Sequence, residues 1–326
     1  MTLLLTRADL VALLEPPAVI EAVQAAFAAY SAGRTDTPLR VGVEPPGTSG
    51  VLLAMPCAVA EPAALGTKVV SVFRGNPARG LPTVTSVYLF SDYETGEPLA
   101  VMDGTYLTGV RTAAGSAVAT RLLARSDARS LGVFGTGVQA RFHVEAIRHV
   151  RPIERVLVCG TSPEKGQAFA AWVREATGLA AETASAEDVS ACDILAACTT
   201  SSTPVVVDAA VRPGAHVNAV GAFTPSTREL PTELVARARV YVDTRAGAES
   251  EAGDLLIAAQ EHQFHLDDVI GEVGEVVLGR APARRHADEI TVYKSVGAAF
   301  LDAATARLGH DRALASGRGQ TFSLTD

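Results

Sequence analysis

The feature that most constrains the fold of this chain is a glycine-rich turn between an apolar run and an amphipathic segment. The turn reads Gly135-Thr136-Gly137-Val138-Gln139-Ala140 and follows the apolar residues 131–134. Gly135 permits a tight turn, and Gly137 lets the backbone approach a pyrophosphate at the positive end of the following helix. Because a strand leads in and a helix leads out, the motif predicts a dinucleotide site in preference to an ordinary glycine-rich loop.

The pattern around this turn predicts alternating strands and helices. Further strands are predicted at 156–159, 194–197, 217–220 and 240–242, with helices at 143–149, from Ser162 onward and at 233–237. Such an alternation is typical of a parallel, doubly wound sheet of the Rossmann type, with helices on both faces.

The first third of the chain has a different pattern. A helical periodicity that ends at Gly33 is followed by predicted strands at 51–55, 65–73, 83–90 and 99–102, with no helix between them. This order favours an α+β unit with a mostly antiparallel sheet. The last long helix, predicted over 298–308 with no strand after it, folds back onto this unit. We therefore predict an α/β protein with one domain at 1–112, completed by 298–326, and a Rossmann dinucleotide-binding domain at 113–297.

Composition excludes several classes of protein. The 326 residues carry a net charge of −8 and no cluster of Lys and Arg, which argues against nucleic acid and anionic membranes as partners. No apolar run approaches the ~18 residues of a transmembrane helix. The four cysteines lie singly in apolar segments, as expected of a reduced, cytoplasmic protein. No spacing of His, Cys and acidic residues completes a ligand set, so we predict no metal.

The end of the second Rossmann strand bears on the choice of dinucleotide. An NAD site usually places Asp or Glu there to hold the ribose 2′-hydroxyl, but this strand runs into Cys159-Gly160-Thr161-Ser162. The hydroxyls of Thr161 and Ser162, the N–H groups of the next helix and Lys165 would instead receive a 2′-phosphate. We therefore predict NADPH, and NADH is the alternative because no arginine stands at this point.

Three basic residues stand out in the first domain. Lys68 shares the face of its strand with Val70 and Val72, where a lysine pairs with an anion, loses its proton or extends its ammonium to solvent at the sheet edge. Arg40 and Arg111 have guanidinium forks that suit a carboxylate. Together the three would hold a small carboxylic acid. Nothing in the sequence alone brings them together, and taken singly each is better interpreted as an ordinary surface charge.

Longer segments carry a resemblance to a known family. They are Pro38-Leu39-Arg40, Gly66-Thr67-Lys68-Val69-Val70-Ser71, Leu107-Thr108-Gly109-Val110-Arg111-Thr112-Ala113-Ala114, the glycine turn, Arg228-Glu229-Leu230, Glu251-Ala252-Gly253-Asp254 and Thr291-Val292-Tyr293-Lys294-Ser295-Val296-Gly297. In this order, along nearly the whole chain, they resemble the ornithine cyclodeaminase/mu-crystallin family. The resemblance implies a homodimeric, NAD(P)-dependent oxidoreductase that acts on a small anionic amino or imino acid at a cleft between its domains. The α+β domain would then bind substrate and form the dimer.

The resemblance also implies roles for single residues. Arg40, Lys68 and Arg111 would bind the substrate carboxylate, and Lys68 would donate or accept the proton at the reacting nitrogen. Including those predicted above, the residues expected to line the cofactor are Thr85, Arg111, Gly135, Thr136, Gly137, Val138, Gln139, Thr161, Ser162, Lys165, Thr199, Val220, Gly221 and Ser295.

One departure from the family pattern bears on the substrate. Ornithine cyclodeaminases have an aspartate that engages the substrate amine where this chain has Phe223, whose ring would pack against an apolar substrate ring. The segment resembles the bacterial ketimine reductases, which implies reduction of Δ1-pyrroline-2-carboxylate or Δ1-piperideine-2-carboxylate to L-proline or L-pipecolate. Alanine dehydrogenase-like chemistry, ornithine cyclodeamination and NADPH-dependent binding without catalysis, as in mu-crystallin, are the alternatives.

Overall fold

The structure, a computed structural model, describes residues 1–323, which fall into two compact units. In chain order the helices and strands are β1 (Thr2–Leu5), α1 (Arg7–Leu13), α2 (Pro16–Ser31), β2 (Thr35–Asp36), β3 (Val41–Val43), β4 (Gly50–Val59), β5 (Ala64–Phe73), β6 (Val84–Ser91), β7 (Pro98–Asp103), α3 (Gly104–Leu123), β8 (Ser130–Phe134), α4 (Val138–Ile147), β9 (Arg155–Cys159), α5 (Pro163–Thr177), β10 (Ala180–Thr183), α6 (Ala186–Ser190), β11 (Ile194–Ala197), β12 (His216–Ala219), α7 (Thr232–Arg237), β13 (Arg239–Val242), α8 (Arg245–Glu251), α9 (Gly253–Gln260), β14 (Gly271–Glu272), α10 (Val273–Val277), β15 (Thr291–Lys294), α11 (Ala299–Ser316) and β16 (Gln320–Phe322).

The first unit contains Met1–Arg111 and the chain from Ala298 onward. Its sheet has the strand order β16-β1-β7-β6-β5-β4-β2, and β3 pairs with β4. Among the described strands only β1 and β7 pair in parallel, so the predicted mostly antiparallel sheet is confirmed. The prediction of no strand after the last helix is wrong, because β16 pairs with β1. The three residues of β16 are largely exposed and show no alternation of apolar and polar side chains. Pairing with β1 is therefore what makes them a strand, and the sequence carries no signal for it.

Helix α11 is the element that closes this unit. It packs against α2 and against β4, β5 and β6. Phe300 of α11 stacks on Tyr30 of α2, with the ring centroids 4.7 Å apart, and meets Phe27 edge-on at 5.7 Å. Burial of aromatic rings in these arrangements contributes more than the buried area alone. The end of the chain is therefore held on the first unit, beside the middle strands of its sheet.

The second unit, Thr112–Gly297, contains a sheet of parallel strands in the order β10-β9-β8-β11-β12-β15-β13-β14. Side chains of its strands alternate between two apolar cores: Ile194 and Ala196 belong to one and Leu195 to the other. The sheet is thus covered on both faces, as parallel sheets require. The predicted Rossmann-type α/β fold is confirmed, although β10, β14 and β15 are absent from the predicted strands.

Helix α3 contains the boundary between the two units, which falls between Arg111 and Thr112. No single helix within residues 1–323 has the length and apolar character of a membrane span. Helices α1 and α2 reach that length only together, as a pair bent by 87°.

Candidate active site

Lys68 lies in the middle of β5, with Met55 of β4 and Tyr88 of β6 beside it in the sheet. Its side chain is 1% exposed, and Nζ donates a hydrogen bond to Asp302 Oδ2 at 2.8 Å. The face of β5 that carries Lys68 is therefore the face covered by α11. The sequence left several states open for Lys68. The structure shows that it pairs with a buried anion, and the prediction that its ammonium extends to solvent is wrong.

Asp302 joins Lys68 to Arg111. Its second oxygen, Oδ1, accepts from Arg111 Nε at 2.8 Å, and all three side chains are buried. Arg40 is half-buried in the segment before β3, and its charge acts on Lys68. The three basic residues of the sequence prediction thus belong to one electrostatic cluster. The interpretation of Lys68 and Arg111 as surface charges is wrong.

The cluster changes the proton affinity of Lys68. Burial, together with the charge of Arg111, lowers the pKa of Lys68 to about 7, while the Asp302 carboxylate opposes this decrease. Burial would raise the pKa of Asp302, but the charges of Arg111 and Lys68 outweigh it and keep the pKa below its usual value. At neutral pH the cluster therefore holds an ionised carboxylate beside a lysine whose charged and neutral forms are both populated.

Asp302 is the residue of this cluster that reasoning from the sequence missed. It is the one charged residue in the otherwise small and apolar segment 298–306 at the start of α11. An acid inside an apolar stretch of helix needs a buried partner. An acid in an apolar helical segment and a lysine on an apolar strand face are the two sequence features from which this pair could have been predicted.

The glycine turn has the shape that a dinucleotide requires. Gly135 has φ +97°, and a Cβ there would lie 2.7 Å from the carbonyl oxygen of Cys198, so only glycine fits. Gly137 caps α4 without a side-chain hydrogen bond, and a Cβ built on it meets nothing within 4 Å. The buried Oε1 of Gln139, in the first turn of α4, has no hydrogen-bond partner among the described residues. Open space and uncapped N–H groups at a helix start fit a pyrophosphate.

Most other predicted cofactor residues follow the carboxyl ends of neighbouring parallel strands. Thr161 and Ser162 follow β9, Thr199 follows β11, Val220 and Gly221 follow β12, and Ser295 follows β15. These ends lie along one edge of the sheet, where open α/β sheets bind their ligands. Thr136 and Val138 lie in the turn itself, the latter largely exposed. Thr85, on β6, and Arg111 belong to the first unit and are not part of this set.

The start of α5 contains one group that the sequence prediction did not consider. Ser162 caps the helix by accepting from the backbone N–H of Lys165 at 3.4 Å. Its hydroxyl also donates to the carboxylate of Glu164. An exposed lysine and an exposed carboxylate therefore stand together where the adenosine ribose of a dinucleotide is expected.

Phe223, like Ser295, lies beyond the end of a strand in the second unit. Phe223, after β12, is half-buried and packs in part against the apolar core. Ser295 donates from Oγ to Asp243 at 2.9 Å, and Asp243 also accepts from the N–H groups of Val296 and Gly297. Within residues 1–323, no group of three or more His, Cys, Asp or Glu side chains is arranged to hold a metal ion.

Comparison with known proteins places this chain in a family. The model of the ornithine cyclodeaminase/mu-crystallin family matches residues 1–317. The chain belongs to this family. A Δ1-pyrroline-2-carboxylate reductase of Bacillus cereus is 40% identical over 309 residues, which cover 94% of this chain and 95% of the relative.

Solved structures agree with this assignment. The Δ1-pyrroline-2-carboxylate reductase of Thermococcus litoralis, in complex with NADH and L-proline, superposes with a TM-score of 0.96 at 39% identity, covering 98% of this chain and all of that one. An archaeal alanine dehydrogenase dimer with bound NAD gives 0.94 at 34% identity and 99% coverage of both chains. The predicted class, an oxidoreductase acting on C=N or CH–NH groups with a nicotinamide cofactor, is confirmed at this level.

The Asp302 pairing predicts how Lys68 titrates. Lysine labelled with ¹³C at Cε gives three signals, because the chain has only Lys68, Lys165 and Lys294, and Lys68→Arg identifies the first by its loss. We expect a midpoint near 7 for Lys68 in the wild type. Asp302→Asn should lower it further, because the carboxylate favours the charged amine.

The matched control is Asp311→Asn, which removes an exposed carboxylate from the same helix. It should leave the Lys68 midpoint where it is. A midpoint that stays unchanged or rises in Asp302→Asn would show that Asp302 does not hold the proton on Lys68.

Proposed function

We propose that this chain reduces the C=N bond of a cyclic 2-imino carboxylate, Δ1-pyrroline-2-carboxylate or Δ1-piperideine-2-carboxylate, to L-proline or L-pipecolate. The observation that carries the proposal is the buried cluster of Lys68, Arg111 and Asp302. With all three ionised, it has one excess positive charge, which one substrate carboxylate would neutralise. Arg40, half-buried nearby, adds a further cation for the same anion.

Each residue of the cluster has a separate part in the proposed reaction. Arg111 and Arg40 orient the substrate through its carboxylate. Lys68 gives its proton to the imine nitrogen and becomes a neutral amine, which its lowered pKa of about 7 favours. The protonated C=N carbon is then the better hydride acceptor. The residues after the strand ends of the second unit would hold the nicotinamide, which would supply the hydride.

Turnover of the two cyclic imines tests this proposal directly. The decrease in NADPH or NADH absorbance should show reduction of at least one ring size by the wild type. Lys68→Ala should lower kcat/KM by roughly 10²–10⁴-fold, the usual contribution of a general acid. As pH rises through the Lys68 pKa the proton donor is lost, so kcat/KM for reduction should fall on the basic side.

Arg34→Ala is the control for the loss of a cation, because Arg34 pairs with Glu61 at the surface of the same unit. It should keep wild-type kcat/KM. A wild type that reduces neither ring size, with either cofactor, would overturn the proposed function.

For the cofactor we propose NADPH in preference to NADH. Lys165 and the hydroxyls of Thr161 and Ser162 support the proposal, whereas the Glu164 carboxylate opposes it by repelling a 2′-phosphate. Glu164→Gln should therefore raise the ratio of kcat/KM for NADPH to that for NADH by roughly two- to fivefold, the effect of one exposed charge. Lys165→Ala should lower the same ratio.

Glu175→Gln, at the exposed far end of α5, is the matched control and should leave the ratio unchanged. If kcat/KM of the wild type is lower with NADPH than with NADH, the proposed NADPH preference is wrong, while the proposed reaction is unaffected.

We propose further that the chain forms a homodimer through the sheet of the first unit. Valine side chains remain exposed on neighbouring strands, and Val69 of β5 lies directly opposite Val87 of β6. Val41 and Val43 of β3 are also exposed. An apolar sheet face of this kind is typical of an interface. The archaeal alanine dehydrogenase is itself a dimer.

Sedimentation should give twice the chain mass of 33.8 kDa for the wild type. Val87→Lys should shift the mass toward the monomer, because a two-fold interface contains the new charge twice. Val11→Lys changes a valine of similar exposure on α1 and should remain dimeric. A monomeric wild type would contradict the proposal.

Reductive amination of an open-chain 2-oxo acid is the second candidate function. It is favoured by 36% identity, over 99% of this chain, to an alanine dehydrogenase of Archaeoglobus fulgidus. Phe223 favours the cyclic substrate, since a phenyl ring offers apolar contact and no acceptor for an amine. NADH or NADPH oxidation with pyruvate and ammonia, faster than with either cyclic imine, would reverse this preference.

A further inference from the structure

A second buried cluster, which the proposed mechanism does not use, lies in the second unit beneath the ligand-binding edge of the sheet. Glu229, between β12 and α7, is fully buried. Its Oε1 accepts from the N–H and the hydroxyl of Thr199, at 2.6 and 2.8 Å. Its Oε2 accepts from the N–H groups of Gly221 and Ala222, at 2.7 and 3.1 Å. One carboxylate therefore binds the loop after β11 with one oxygen and the loop after β12 with the other.

Two more buried charges hold Glu229 in place. Asp254, at the start of α9, accepts from the N–H groups of Glu229 and Leu230 at 2.7 and 2.8 Å. Lys294, the last residue of β15, has its Nζ 2.8 Å from Asp254 Oδ2 and donates to the carbonyl oxygen of Ala222. We call these three residues the Glu229 cluster. It connects three segments that follow or end strands of the sheet.

The two loops meet so closely that their spacing is tightly defined. A Cβ on Gly221 would lie 2.0 Å from the carbonyl oxygen of Thr199 and 2.6 Å from Glu229 Oε1. Glycine is thus required for the loops to approach, and the Glu229 carboxylate lies beside the contact. Glu229 is thus bonded to both loops at the point where no side chain separates Thr199 from Gly221.

Stability alone is a poor explanation for the Glu229 cluster. Burying charges costs free energy that apolar packing would avoid, so a buried ionic cluster is weak evidence for a role in stability. Burial and the nearby Asp254 charge raise the pKa of Glu229, against the effect of Lys294 and the Thr199 hydrogen bonds. What the carboxylate provides that apolar residues cannot is acceptance of hydrogen bonds from two loops at once.

We propose that Glu229, held by Asp254 and Lys294, is a positioning residue that sets the spacing of the loops after β11 and β12 for the nicotinamide half of the cofactor and for the substrate. The inference rests on the proposed function, which assigns Thr199, Gly221 and Phe223 to these ligands. The adenosine half depends on the glycine turn and the end of β9. Among the described residues, the Glu229 side chain has no hydrogen bond to either segment.

Glu229→Gln tests the proposal with almost no change of shape. The amide has one acceptor oxygen, and its NH₂ group faces the N–H donors of whichever loop the oxygen does not bind. We expect NADH to bind roughly ten- to a hundredfold more weakly, as for the loss of buried hydrogen bonds to a charged group. ADP-ribose, which lacks the nicotinamide, should bind with wild-type affinity, and both are measured by calorimetry.

Asp193→Asn is the matched control. Asp193 accepts from the N–H groups of Arg129 and Ser130, so it too is a carboxylate that binds backbone, but it precedes β11 at the opposite edge of the sheet. This variant should lower Tm while leaving the affinities for NADH and ADP-ribose unchanged. The ratio of the two affinities therefore separates positioning from a general loss of stability.

Several outcomes decide the question. The proposal would be overturned if Glu229→Gln has a lower Tm, as Asp193→Asn has, but binds NADH with wild-type affinity. An equal loss of NADH and ADP-ribose binding would overturn it as well. If Glu229→Gln does not fold, Glu229→Asp keeps the charge but is too short to reach both loops, and the same ratio applies.

Activity separates this proposal from the proposed function. If the wild type binds NADH but reduces no cyclic imine, the proposed function fails, and the comparison of NADH with ADP-ribose still tests Glu229. If the imine is reduced, Glu229→Gln should lower kcat for reduction as well as the affinity for NADH, and Glu229→Asp should restore neither fully.

Discussion

The bridge from Asp302 to Lys68 and Arg111 is the interaction on which the first unit depends. Two cations project from β5 and α3 into an interior that would otherwise exclude them. The only anion within residues 1–323 that is bonded to both is Asp302, which lies 234 and 191 residues further along the chain. Leaving two buried cations unpaired would cost about 3–5 kcal/mol. The last helix must therefore return to the first unit, and its aromatic contacts with α2 hold it there.

The second unit uses buried carboxylates for a different purpose. Glu229 and Asp243 each accept several hydrogen bonds from backbone N–H groups just beyond the carboxyl ends of strands. Apolar contacts of Phe223 and Val296 with the core fix the same loops in part. A buried carboxylate beneath a loop supplies directional bonds without occupying the ligand side. In the proposed function, these carboxylates therefore fix the loops at the edge where the ligands would bind.

How far the sequence predicts the structure depends on the range of the interaction. The glycine turn and the strand at 194–197 could be predicted, because a tight turn and an apolar run are local properties. Strand β16 could not, since its extended conformation comes from pairing with β1 at the other end of the chain. The state of Lys68 cannot be predicted from its own strand for the same reason: its neighbours in sequence do not show whether a distant helix brings an acid to its face of the sheet.

The division of tasks between the units bears on how this family varies its chemistry. The relatives named above include reductases of cyclic imines and alanine dehydrogenases, which share one fold with this chain. A fold does not determine the reaction, so the difference must lie in particular residues.

Every substrate considered in the proposed function carries a carboxylate, so Lys68 and Arg111 would have the same role for each of them. The loop after β12 would then decide between an apolar ring and an amine, because Phe223 stands on it two residues beyond Gly221. Since Glu229 binds that loop through backbone N–H groups only, the side chain at position 223 can change without disturbing the hydrogen bonds that fix the loop.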